Sequence, residues 1–167
     1  MIIEINPYDQ KSINEAIKKV NQYKRWVNQK ETQLLKKLSK YGATRVKVYY
    51  SEAQYDGEFE ISVDSTVTKT TATIYARGSE VAFIEFGAGV YYNGAESYPL
   101  PRPDGIVGIG KYGKGRGKRK AWGYYAEEGN KDSLVITHGN PPAKALYKGM
   151  LDICDIALVT AKEVFKS

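Results

Sequence analysis

Residues 12–42, SINEAIKKVNQYKRWVNQKETQLLKKLSKYG, decide the architecture. Apolar side chains recur at Ile13, Ala16, Ile17, Val20, Tyr23, Val27, Leu34, Leu35 and Leu38. That spacing is close to 3.6 residues and specifies a long amphipathic helix. Ser12 and Glu15 are spaced for a capping box, in which the hydroxyl accepts from the third helical amide and the carboxylate reaches back. Asn6-Pro7 is a competing start. Tyr41-Gly42 predicts the end, because glycine enters the left-handed conformation at little steric cost.

Working outward, the next stretches read as strands. In Thr44 to Tyr50, Val46 and Val48 alternate with Arg45, Lys47 and Tyr49. Phe59, Ile61 and Val63 alternate with Glu60, Ser62 and Asp64, and Thr68 to Arg77 is rich in threonine around Ile74 and Tyr75. β-branched and aromatic residues at period two predict a three-stranded antiparallel meander, turning at Tyr55-Asp56-Gly57 and Asp64-Ser65-Thr66. Glu80 to Phe86, with its apolar run Val81-Ala82-Phe83-Ile84, fits either a short helical turn or a strand start, the turn being favoured after Arg77-Gly78-Ser79, and Ser133 to Thr137 reads as a last strand. Asn140 and Pro141 suit the N-cap and first position of a final helix. Its expected buried stripe is Leu146, Gly149, Met150, Ile153, Ile156, Ala157, Thr160 and Val164. The plan is a single α+β domain over residues 1–167, with a long N-terminal helix and a C-terminal helix packed on a small antiparallel sheet.

Residues 87–132 interrupt that plan as one long Gly-rich basic loop. Eleven of the sixteen glycines lie between Gly87 and Gly129, interleaved with Tyr91, Tyr92, Tyr98, Tyr112, Trp122, Tyr124 and Tyr125. A loop of this length in a compact domain is usually functional or disordered, and the aromatic residues argue against a plain linker.

The chain has 167 residues, 42% of them hydrophobic, enough to bury a core. The lone Cys154 excludes an internal disulfide framework and a cysteine-built zinc site, and the lone His138 excludes any site needing two imidazoles. No apolar run approaches the roughly 20 residues that a membrane span needs, and Met1 to Tyr8 lacks the pattern of a signal peptide. The expectation is a soluble intracellular globular protein, basic overall, that does not engage membranes. Net charge is +6, but it is segregated. Residues 11–40 hold nine Lys/Arg and two acids, residues 105–120 hold six Lys/Arg and no acid, and the remainder is acidic. Two basic zones on an acidic body suit a polyanion or acidic protein surfaces, copies of the chain included.

The glycine motifs are weaker than they look. Gly108 to Gly113 matches G-x-G-x-x-G, yet Gly115 and Gly117 follow where a helix must begin. Gly105 to Lys111 matches the start of a phosphate-binding loop, but Tyr112 stands where Ser or Thr should ligate magnesium. No cofactor and no metal are expected. The tract Lys111, Lys114, Arg116, Lys118, Arg119 and Lys120 places cations about every 7 Å when extended. Each suits a phosphate, with Tyr112 and Trp122 available to stack. The same tract also suits an arm that docks on a neighbouring protein, or a solvated surface loop. His138 reads as a turn residue and Cys154 as a small buried or half-buried one. An acid–base pair of His138 with Glu85 finds no further support, so no catalytic residue is assigned.

Val81-Ala82-Phe83-Ile84-Glu85-Phe86-Gly87-Ala88-Gly89-Val90 resembles the A-F-x-E-F-G-x-G signature of small neck and tail-component proteins of long-tailed bacteriophages, described as head–tail joining or minor capsid proteins. Gly139-Asn140-Pro141-Pro142-Ala143 is similar to that family's entry to its last helix. The resemblance implies a virion structural protein of the head–tail junction, assembled in the host cytoplasm, without enzymatic activity. It implies as partners other phage structural proteins (connector, tail tube or terminator), further copies of the chain, and transient contact with packaged DNA. Phe83, Glu85, Phe86, Gly87 and Gly89 then form the root of the loop. Phe86 anchors in the core, the two glycines permit a sharp exit, and Glu85 either belongs to that root or pairs with a neighbour's basic helix. The alternative function is a nucleic-acid-binding module using the Lys/Arg-Gly tract. A small nuclease built on His138 and Glu85 is the remaining rival.

Overall fold

A computed structural model describes residues 2–53, 60–87, 122–127, 129–137 and 142–166. The elements are α1 (Gln10–Glu52), β1 (Ser62–Val67), β2 (Ala72–Arg77), α2 (Val81–Phe86), β3 (Trp122–Tyr125), a 3-10 turn at Lys131–Ser133, β4 (Leu134–Thr137) and α3 (Ala145–Lys166). The α+β plan with long helices at both ends holds. The expected meander does not: among the described residues the strands form two separate antiparallel hairpins, β1–β2 and β3–β4.

α1 is 43 residues long, about 64 Å at 1.5 Å per residue. It begins two residues before Ser12. Asp9 is the N-cap, its carboxylate accepting from the Lys11 amide at 3.0 Å. Ser12 is not a cap; its Oγ accepts from the amide of Asn6 at 2.9 Å and ties down the preceding turn. The expected strand Thr44–Tyr50 belongs to this helix. Gly42, Val46 and Tyr50 recur every four residues on the buried side, at 1% exposure for Val46 and 7% for Tyr50. Burial of that face outweighs the strand propensity of Val46, Val48 and Tyr49.

β1 and β2 pair from Ser62↔Arg77 to Val67↔Ala72. Asp64, Ser65 and Thr66, expected as a turn, lie inside β1. The chain reverses at Thr68–Thr71, where the Thr68 amide donates to the Thr71 carbonyl at 2.8 Å and the Thr71 amide donates to Thr68 Oγ1 at 3.1 Å. The expected turn at Tyr55-Asp56-Gly57 lies outside the described residues, as does Phe59.

α3 is 22 residues long and runs antiparallel to α1, since Gly149 meets Val46 while Phe165 meets Trp26. It begins at Ala145 rather than at Pro141. Gly149 and Val164 of its expected stripe are buried, whereas Met150 is 40% exposed. Cys154 is exposed rather than buried. The core sits where everything converges on the C-terminal half of α1: Val46, Tyr50, Val63, Ile84 and Ala145 form one cluster, with Ile61, Ile74 and Leu146 packed against it. Lys30, counted in the basic zone, is drawn inward to 9% exposure with its ammonium 5.8 Å from the Trp26 ring centroid.

One polar clasp joins the two long helices. Arg45 Nε donates to Asp152 Oδ2 at 2.6 Å, the Tyr49 hydroxyl donates to the same oxygen at 2.9 Å, and an Arg45 amino group donates to the Tyr49 hydroxyl at 2.8 Å. The Arg45 hydrogen bond, followed by that of Tyr49, holds the Asp152 carboxyl below the usual carboxylate range against the opposing effect of desolvation. The guanidinium is correspondingly raised. A depressed folded-state value stabilises above the unfolded carboxyl value, near about 3.9, and the contribution is lost as pH falls through the folded value. Asp152→Asn is therefore expected to melt below wild type at neutral pH, with the gap closing as the solution is acidified below about pH 4. Thermal melts followed by circular dichroism across that range check it; a gap that persists in acid would point to packing instead.

Candidate functional site

The motif residues converge where α2 meets the start of α3. α2 is a single short helix whose last three residues, Ile84, Glu85 and Phe86, are all buried. Glu85 is 1% exposed. Its Oε2 accepts from the Tyr50 hydroxyl at 3.1 Å and from the Leu146 amide at 3.0 Å, and its Oε1 accepts from the Tyr147 amide at 3.4 Å. Leu146 and Tyr147 are the second and third residues of α3, whose amides have no acceptor within their own helix. A side chain from a distant helix thus does the work usually done by a local N-cap residue. The partial positive charge at that helix end favours a carboxylate there.

The backbone completes the joint. Ala143 donates its amide to the Ile84 carbonyl at 2.8 Å and Lys144 donates to the Glu85 carbonyl at 3.2 Å. Carbonyls at the C-terminal end of α2, unsatisfied within that helix, thus accept from the amides of the two residues that lead into α3. The joint carries local strain at Lys144, a non-glycine residue with φ 56°.

Gly87 closes α2 at φ 77° and ψ 162°, a region essentially reserved for glycine. The chain therefore leaves α2 along a direction that a side chain at this position would forbid. Phe86, beside it, is 9% exposed and seated in the interior. Phe83 is 43% exposed and lies on the outer side of the short helix. Because the Glu85 carboxylate is enclosed and spent within the subunit, a salt bridge from it to a neighbour's basic helix is ruled out.

Gly89, Lys111, Tyr112, Lys114, Arg116, Lys118, Arg119 and Lys120 lie outside the described residues, and so does His138. The loop drawn over 87–132 is shorter than expected at its far end. Trp122 opens β3, paired with Thr137 of β4, and the 3-10 turn at Lys131–Ser133 has Asn130 Oδ1 accepting from the Asp132 amide at 3.0 Å. The hairpin has a period-two pattern in Leu134 to Thr137, but its partner strand, Trp-Gly-Tyr-Tyr, was hidden among glycines.

A shallow cleft of about 540 Å³ lies between α1 and the tip of the first hairpin, lined by residues including Asn28, Glu31, Thr32, Lys36, Lys69 and Thr70. Its lining residues are polar or charged, with no histidine or cysteine among them. Among the described residues no three His, Cys, Asp or Glu side chains gather as a metal site, and no helix is long and apolar enough to cross a membrane. Comparison with protein-family models, with curated proteins and with solved structures finds no match to this chain.

Proposed function

We propose that the chain is a non-enzymatic structural component of a long-tailed phage virion, acting at the head–tail junction. In this reading residues 88–121, with the six cations of the tract from Lys111 to Lys120, make the contact with neighbouring subunits or packaged DNA. The observation that carries the reading is the joint that precedes them in the chain. Glu85 locks α2 to α3, and Gly87 sets the exit direction from a buried anchor. A segment built to grip a large assembly needs such a rigid root, since force on the contact is otherwise lost in local unfolding. The motif that resembles the phage family falls on these same residues. The test is a phage in which Lys111, Lys114, Arg116, Lys118, Arg119 and Lys120 are all replaced by serine. Electron microscopy of lysates should then show filled heads without tails. Normally tailed, infectious particles would overturn the proposal.

A second reading, a nucleic-acid-binding module, draws on α1. Lys11, Lys18, Arg25, Lys36 and Lys40 recur at seven- or four-residue steps apart from one longer gap, and all five are exposed. If it holds, the purified chain binds duplex DNA with a logarithmic salt slope of about −0.9 per phosphate contact. Binding that vanishes at physiological salt favours the structural reading.

A further inference from the structure

α3 has a second apolar seam, turned away from the core. Leu151, Cys154, Leu158 and Phe165 follow the three-four spacing of a helix-pairing seam, over about 21 Å of helix. Leu151 is 43% exposed, Leu158 66% and Phe165 38%; Cys154 is exposed as well. The apolar surface does not stop where α3 ends. Phe165 packs edge-on against Trp26 at 5.8 Å between centroids, and Trp26 stacks on Tyr23 at 5.5 Å. Tyr23 and Val20 continue along the part of α1 that runs past the end of α3, at 49% and 52% exposure.

We infer that this seam pairs with the same seam of a second copy of the chain, with the two α3 helices antiparallel. The charges choose this occupant. Asp155 and Lys162 flank the seam on the same side, one heptad apart, and both are exposed. Antiparallel pairing about a two-fold axis near Val159 and Thr160 sets Asp155 opposite Lys162 of the second copy, and by symmetry does so twice. In that register Leu158 faces Ala161 and Cys154 faces Phe165. Leu151 of each copy then reaches past the end of the other α3 and lands on the exposed Tyr23 and Val20. The overhang of α1 is thereby covered by the same contact. A parallel arrangement instead sets Asp155 beside Met150 and Lys162 beside Ala157 of the second copy, so neither charge finds a partner across the seam, and it leaves both overhangs bare. The inference stands independently of the virion reading, since it rests on α1 and α3 alone.

The test is sedimentation equilibrium of the full chain over a wide concentration range. A reversible dimer is expected, and Leu158→Glu should raise its dissociation constant at least about 100-fold with helix content unchanged by circular dichroism. Charge exchange reads the register. Asp155→Lys and Lys162→Asp should each weaken the homodimer, while an equimolar mixture of the two should restore association as a heterodimer. Mild oxidation should not join Cys154 to Cys154. A chain that stays monomeric at every concentration overturns the inference, as when residues 88–121 or a different protein covers the seam. So does a dimer indifferent to Leu158→Glu, a mixture no tighter than its components, or rapid Cys154–Cys154 crosslinking.

Discussion

Glu85→Ala is expected to destabilise the fold by about 3–5 kcal/mol, a large share of the 5–15 kcal/mol that a domain has in hand. The argument is one of stranded donors. Truncation removes the acceptor that the Tyr50 hydroxyl and the Leu146 and Tyr147 amides share, at a position where the carboxylate is 1% exposed. Each donor left buried without an acceptor costs about 1–3 kcal/mol, and they share one cavity, so the losses do not simply add. Glu85→Gln keeps the shape and one oxygen but turns an amide nitrogen toward a donor, and should cost about 1–2 kcal/mol. Tyr50→Phe removes one donor while the helix cap survives, and should cost about 1 kcal/mol. Urea denaturation of the three variants checks the order Ala, Gln, Phe. A Glu85→Ala variant as stable as wild type would mean that the joint is not what holds α2 to α3. The root of residues 88–121 would then lose its rigidity argument.

This joint shows where a linear reading stops. Phe83, Glu85, Phe86 and Gly87 stand out as a motif, and Gly87 is legible as an exit because its neighbours are apolar and its position demands an unusual backbone. The partners are not legible. Tyr50, Leu146 and Tyr147 lie 35, 61 and 62 residues away from Glu85, and nothing local marks them as its donors. The missing local cap of α3 is the one faint signal. Asn140-Pro141 looks like a helix start, yet the helix begins at Ala145 because its cap is supplied from α2. The first half of α1 is legible because only a helix gathers Ile13, Val20, Val27 and Leu34 on one face. Its second half is not, because Val46 and Val48 satisfy period two while Gly42, Val46 and Tyr50 satisfy period four. Only packing against α3 and β1 decides between them. The hairpin β1–β2 follows from alternation, but its turn sits at Thr68–Thr71 because the Thr68 hydroxyl there serves the backbone of Thr71. Asp64-Ser65-Thr66 has the composition of a turn and the burial alternation of a strand.

Gly42 carries the main misreading, and with Gly149 it carries the second large effect. Read alone, Gly42 ends a helix; in the fold it lets two helices touch. A Cβ on Gly149 would collide with a methyl of Val46, itself 1% exposed, and would come within 3.6 Å of the Gly42 carbonyl. A Cβ on Gly42 would collide with Ile153 and approach Ile74. The two obstacles differ in how easily they yield. Ile153 and Ile74 present the ends of flexible side chains, whereas the Val46 methyl is fixed directly on Cβ and cannot swing clear without a change of rotamer. Gly149→Ala should therefore cost about 1–3 kcal/mol in forced separation, partly offset by about 1 kcal/mol of improved helix propensity. Gly149→Leu has no such relief and should exceed about 3 kcal/mol. The decisive measurement is a double-mutant cycle in urea. Val46→Ala by itself opens a cavity and costs about 2 kcal/mol, but it also removes the methyl that the new Cβ would strike. The double variant should be more stable than the sum of the single losses by about 1–2 kcal/mol. Strict additivity would mean that α1 and α3 do not approach at these residues. The position of Ala145, and with it the cap held by Glu85, would then need another support.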